Sequence, residues 1–123
     1  MKNYRELIVW QKAMDLTEEV YKIVRLLPKE ELYGLTAQIK RASVSVPSNI
    51  AEGYSRNTTK EYVRFLYIAR GSLSEIETQL LLCIRLKFLS NEQISSALSL
   101  IPEIGKMLNA IISKLNPKRR GSG

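Results

Sequence analysis

Residues 58–89 read TTKEYVRFLYIARGSLSEIETQLLLCIRLKFL, and this stretch decides the fold. Thr58 and Glu61 stand in the S/T-x-x-E arrangement of a capping box, in which the hydroxyl accepts a backbone N–H three residues on and the acid reaches back to the cap. Behind that start signal, Tyr62, Leu66, Ala69, Leu73, Ile76, Leu80, Cys83 and Ile84 recur at helical spacing, so one face is apolar. Lys60, Arg64, Tyr67, Ser74, Thr78 and Arg85 fall on the other side. The pattern predicts one long helix ending near Phe88.

The same reading extends in both directions. Downstream, Ser90 with Gln93 repeats the box, Leu89 with Ile94 supplies a hydrophobic staple, and Ile94, Leu98, Ile101, Ile104, Leu108, Ile111 and Leu115 form a core face. Pro102 is expected to bend or break this helix near Leu98. Upstream, Leu35, Ile39, Ala42, Val46 and Ile50 predict a helix over Tyr33 to Glu52 with Gly53 as its stop. Pro47 lies inside it, takes a donor from the Ser43 carbonyl and predicts a kink. Val9, Ala13, Leu16, Val20, Ile23 and Leu27 predict a first helix over Ile8 to Leu27, ended by Pro28 and widened by Trp10, Met14, Tyr21 and Val24. Four amphipathic helices with short connections make an all-α, up-and-down antiparallel four-helix bundle. Residues 1–116 form its single domain, and 117–123 are expected to be a disordered basic tail.

Composition narrows the function. With 123 residues and 45% hydrophobic content the chain suits one core. Its longest apolar run, Leu80 to Ile84, is far short of the roughly 20 residues of a membrane span. The opening Lys2, Asn3, Arg5 and Glu6 predict no signal peptide, and the single Cys83 leaves no internal disulfide; the cytosol is the expected compartment. Without histidine, Ser-His and Cys-His pairs and imidazole metal sites are excluded. Cys83 sits between Leu82 and Ile84, which favours the neutral thiol. Glu75 and Glu77 could in principle hold a hard cation or act as an acid and base, but they point about 200° apart on a helix and are not expected to share a site. The glycines at 34, 53, 71 and 105 are isolated, so no phosphate loop exists. No enzyme, cofactor or metal is expected.

Nineteen Lys and Arg against twelve Asp and Glu give a net charge of +7, which favours acidic partners. The excess concentrates in Lys40, Arg41, Arg56, Lys60, Arg64 and Arg70, with Lys118, Arg119 and Arg120 in the tail. Lys60, Arg64 and Tyr67 share a helix face that could follow phosphates and stack one base. Arg41, Ser45, Ser48 and Glu52 form a second stripe, open to four readings: plain solvent exposure, an interhelical network, an oligomer contact or a channel lining. Gly71 and Ser72 cost helix propensity, so close approach of another backbone, near Pro47, is expected there. From Leu80 to Leu89 the helix is apolar nearly all round. Leu81, Leu82, Leu86, Phe88 and Leu89 are therefore expected to be covered by another subunit.

Four motifs carry a family resemblance. They are Val9-Trp10-Gln11-Lys12-Ala13, the run from Tyr33 to Ala42, the run from Ser45 to Gly53, and Ile68-Ala69-Arg70-Gly71-Ser72-Leu73-Ser74-Glu75. Together they resemble the bacterial four-helix-bundle proteins encoded in intervening sequences of 23S ribosomal RNA genes. The resemblance implies a barrel-like homopentamer with a basic channel. It also implies a likeness in fold to the accessory variability protein of diversity-generating retroelements, which binds nucleic acid and a reverse transcriptase. Two functions follow as expectations: a nucleic-acid-binding oligomer, or a protein-interaction scaffold whose charge serves solubility.

Overall fold

The computed structural model describes residues 3–116. Four helices follow in order: α1 (Ile8–Val24), α2 (Leu35–Tyr54), α3 (Thr59–Arg85) and α4 (Asn91–Leu115), with short 3-10 turns at Tyr4–Glu6 and Lys29–Glu31. There is no strand among the described residues. Each helix packs on its two neighbours, α1 on α2 and α4, α3 on α2 and α4, and the diagonal pairs do not approach. This is the up-and-down bundle that the four apolar faces require.

Its centre is made by the expected seams. Leu16, Ile39, Ile50, Leu66, Ile76, Leu80, Ile94, Ile104 and Leu108 are fully buried, and burying such side chains stabilises the fold by roughly 1.5–3 kcal/mol each. Ala97 and Ile112, absent from the expected α4 face, are buried as well. An ion pair of 3.0 Å from Lys12 to Glu103 crosses from α1 to α4.

The helix ends show where local chemistry differs from the expectation. At α4, Gln93 N donates to Ser90 Oγ at 3.2 Å and Ser90 N donates to Gln93 Oε1 at 2.9 Å, a complete capping box. At α3 only half of the box forms. Glu61 N donates to Thr58 Oγ1, while the Glu61 carboxylate turns to Arg64 instead. α1 stops at Val24 rather than Leu27, although Leu27 still reaches the core from the connection. α3 stops at Arg85 rather than Phe88. There Phe88 N donates to the Cys83 carbonyl at 2.9 Å and Lys87 N to the Ile84 carbonyl at 3.0 Å, the paired bonds of a Schellman turn.

That turn puts Lys87 at φ 65°, in the left-handed region that glycine occupies without steric cost. Lys87→Gly should therefore stabilise the fold by about 0.5–1 kcal/mol, the relief of strain outweighing the greater entropy of an unfolded glycine. Thermal denaturation at fixed protein concentration checks this; a lower midpoint would show that the lysine side chain holds the turn.

Two glycines exchange the roles expected of them. Gly53 does not stop α2, which continues to Tyr54, and no glycine among the described residues has positive φ. A Cβ at Gly53 would stand 2.8 Å from Phe65 Cβ and 3.1 Å from both Tyr62 Cδ1 and the Tyr62 carbonyl. Gly53 is thus a point of close approach between α2 and α3. A Cβ at Gly71 would meet nothing within 4 Å, so no backbone approaches there. Its neighbour Ser72 is buried and donates to Ser45 Oγ at 2.8 Å, while Asn49 Nδ2 donates to Ser45 Oγ and to the Ser45 carbonyl. Part of the second polar stripe is thereby an interhelical network; Arg41, Ser48 and Glu52 remain exposed.

Both internal prolines leave their helices continuous. α4 does not break at Pro102, which is exposed, so the Leu98 carbonyl that it deprives of a donor lies on a side water can reach. Pro47 is buried, and the carbonyl it strands, that of Ser43, needs a protein donor. Thr17 Oγ1 of α1 supplies it at 2.9 Å.

Candidate nucleic-acid interface

The tight contact at Gly53 sets Phe65 and Tyr62 against the end of α2, and Tyr54 meets the Tyr62 ring edge-on at 5.9 Å. Arginines gather on this aromatic base. The guanidinium carbon of Arg56 lies 4.9 Å from the Phe65 ring centre and that of Arg64 lies 4.5 Å from it. A planar guanidinium stacked on an aromatic ring is held in place with its outer N–H donors still available.

Carboxylates balance part of this charge. Arg56 pairs with Glu52 at 3.2 Å, and Arg64 contacts both oxygens of Glu61 at 3.0 and 3.3 Å. The Arg64 hydrogen bond holds the Glu61 carboxyl below its ordinary range, and Glu61 in turn raises Arg64. Exposed pairs of this kind contribute little to stability. Lys60 is exposed and has no ion-pair partner among the described residues.

Further along α3, Arg70 stacks over Tyr67 at 4.6 Å, and its Nη1 donates to Asn109 Oδ1 at 2.9 Å. This bond joins the α3 edge to α4, where Lys106 and Lys114 are exposed and no acid follows Glu103 up to residue 116. The α3–α4 side thus carries Arg70 and Lys106, with exposed Glu77 lining a shallow pocket beside Arg70, and the start of α3 carries Arg56, Lys60 and Arg64 against Glu52 and Glu61. Lys114 shares the face of Glu103, which pairs with α1. Lys106 was not among the expected binding residues; its sign was legible, but its side of the bundle was not. Tyr67, expected to face outward, is half-buried against the core and reaches the edge as the support for Arg70.

The other basic residues do not join this edge. Lys40 and Arg41 stand near the opposite end of α2, with Lys40 roughly 18 Å along the axis from Glu52 at 1.5 Å per residue. Lys40 Nζ instead lies 5.1 Å from the Tyr21 ring centre, on α1. Lys118, Arg119 and Arg120, with the rest of 117–123, lie outside the described residues.

The five residues expected to form an oligomer contact also divide. Leu81, Leu82 and Leu86 are 46%, 41% and 47% exposed, and a shallow groove of about 500 Å³ runs past Leu81 and Leu82 beside Thr78 and Arg85. Leu89 is buried in the chain's own core and Phe88 packs against it. The Schellman turn accounts for both, because it folds the residues after Lys87 back onto the bundle. Cys83, also buried, has its thiol pKa pushed up by burial and further by the charge of Glu31. It stays a neutral thiol. Among the described residues no group of three His, Cys, Asp or Glu side chains converges as metal ligands do, and no helix is long and apolar enough to cross a membrane.

No curated protein matches the chain. A crystal structure at 1.70 Å of a protein of unknown function from the S23 ribosomal protein family of Bacteroides thetaiotaomicron VPI-5482 superposes with a TM-score of 0.79 at 26% identity. The match covers 85% of this chain and 98% of that one. A family model described as 23S rRNA-intervening sequence protein matches residues 5–110, from the first 3-10 turn nearly to the end of α4. The chain belongs to the 23S rRNA-intervening sequence protein family.

Proposed function

We propose that the protein is a non-catalytic homo-oligomer that binds nucleic acid through the basic edge of α3 and α4. One observation carries this reading: Arg56, Arg64 and Arg70 lie over the rings of Phe65 and Tyr67 on the outer side of α3, with Lys60 and Lys106 adding charge. Stacking fixes the guanidinium planes in advance, which reduces the entropy lost when they engage phosphates. Glu52 and Glu61 occupy some of the donors, but an arginine has five, and a phosphate oxygen can take those that remain. In an oligomer the edge recurs in every subunit, so weak phosphate contacts strengthen one another.

Changing Arg56, Lys60 and Arg64 together to Gln tests this. Binding to unrelated RNA and DNA sequences should weaken about tenfold near 100 mM salt, and the salt dependence should become shallower by up to about three phosphate contacts. Helicity and assembly should be unchanged. Normal binding by the triple variant would remove the edge from the function, and absence of binding by the intact protein in low salt would remove nucleic acid altogether.

A second reading is supported by the exposed Leu81, Leu82 and Leu86, together with the partial neutralisation of the arginines: a protein scaffold in which charge serves solubility. Light scattering bears on both. The intact protein should run as a multiple of 14.0 kDa, and Leu82→Glu with Leu86→Glu should yield monomers, because two carboxylates in an apolar contact are costly to desolvate. A scaffold would assemble in the same way and retain no nucleic acid.

A further inference from the structure

The corner where α1 ends and α2 begins holds a pocket of about 510 Å³, at the opposite end of the bundle from the Arg56 edge. Its volume lies in the range of small-molecule sites. One side is apolar, built from Val24, Leu27 and Leu32. The other carries Arg25, Lys29 and Lys40, and no carboxylate lines it. Tyr21 joins the two sides, its ring centre 5.1 Å from Lys40 Nζ.

Thr36 supplies an independent indication. It is 6% exposed and lines the pocket, yet its hydroxyl makes no hydrogen bond to any described residue. The only sealed side-chain atom without a partner among the described residues is Gln79 Oε1, so the Thr36 oxygen is open to the pocket rather than closed off. Held in place by a buried side chain and bonded to no protein group, the hydroxyl is available to whatever fills the pocket. Thr36 also sits in the first turn of α2, which has no side-chain cap at Gly34. Glu31 Oε1 takes the Leu35 N–H at 3.3 Å, and the next two N–H groups find no acceptor among the described residues. The hydroxyl, the two open amides and the three cations favour an anion beside the Glu31 carboxylate that already holds the first amide of α2.

We infer that this corner binds a nucleoside 5′-phosphate. The phosphate takes the Thr36 hydroxyl, the open amides and the cations, and the base lies against Tyr21 and Leu32. An inorganic anion would leave the apolar side unused, and an uncharged nucleoside would leave the cations unused. The phosphate has two sources, a free mononucleotide or the phosphorylated 5′ end of a strand. The site stands apart from the Arg56 edge and does not rest on it.

Titration of the full-length protein with adenosine 5′-monophosphate, followed by amide NMR, tests the inference. Saturable shifts at Thr36 and Ala37 are expected at submillimolar ligand, with adenosine and inorganic phosphate each about tenfold weaker. Thr36→Val, nearly the same shape, should weaken binding about tenfold. The surface pair Arg25→Gln and Lys40→Gln should do at least as much, and decides the matter if the buried variant folds poorly. Adenosine binding as well as its phosphate, shifts confined elsewhere, or unchanged binding in the surface pair would overturn the site. The sources are separated with short strands bearing a 5′-phosphate or a 5′-hydroxyl, in the Arg56, Lys60 and Arg64 triple Gln background so that the other edge is silent. A preference for the phosphorylated strand that disappears with Arg25 and Lys40 assigns the strand end. Binding of the mononucleotide alone assigns the free nucleotide, and binding of neither refutes the proposal.

Discussion

Gly53→Val leaves the chain without a stable bundle. Alanine at this position already brings Cβ to 2.8 Å from Phe65 Cβ and 3.1 Å from the Tyr62 carbonyl, against backbone and a carbon fixed directly to it that cannot swing aside. Two effects oppose each other. Removing a glycine from a helix interior stabilises by about 1 kcal/mol, while overpacking costs about 1–3 kcal/mol for a small addition and more for a branched one. The clash wins because it falls within the most extensive helix pair, α2 with α3, and separating them also moves Phe65 from beneath Arg56 and Arg64. Gly53→Ala should lose about 1–3 kcal/mol by urea denaturation, and Gly53→Val should lose cooperative unfolding. Gly71→Ala is the control: it meets open space and should gain about 1 kcal/mol. Equal behaviour of the two alanines would show that the contact at Gly53 relaxes freely.

That contrast also shows what can be read from residues in order. Caps and seams are local, so Ser90 with Gln93 and the apolar faces through Leu66, Leu73 and Leu80 were legible and lie where expected. The distance between two helices is not local. Gly53 and Gly71 look alike in the chain, and only the crossing of α2 with α3 separates a required glycine from a tolerated one. The basic residues are a similar case. Lys40, Arg41, Arg56, Lys60 and Arg64 are close in sequence, but they span a helical hairpin, which sends the first two toward one end of the bundle and the rest to the other. Lys106 joins Arg70 only because α4 returns beside α3, as the Asn109 contact records. Phe88 and Leu89 looked like surface because a continuing helix would expose them; the left-handed Lys87 turns them inward.

Thr17→Val should destabilise the bundle by about 1–3 kcal/mol, although the replacement has nearly the same shape and the site is only partly buried. The reason lies on the facing helix. Pro47 has no N–H, so the Ser43 carbonyl four residues before it has no helical donor, and Thr17 Oγ1 fills that place at 2.9 Å while also lying 3.1 Å from the Ala13 carbonyl of its own helix. Valine leaves the Ser43 oxygen inside the α1–α2 contact with nothing to accept from. A threonine that merely bonded within its own turn would be nearly neutral on replacement. Pro47→Ala separates these accounts, because it returns an N–H to the Ser43 carbonyl. In that background Thr17→Val should cost about 1 kcal/mol less, a coupling readable from a double-mutant cycle in urea at fixed protein concentration. Additive losses in the cycle would mean that Thr17 and Pro47 act separately, and that the continuity of α2 through its buried proline rests on packing alone.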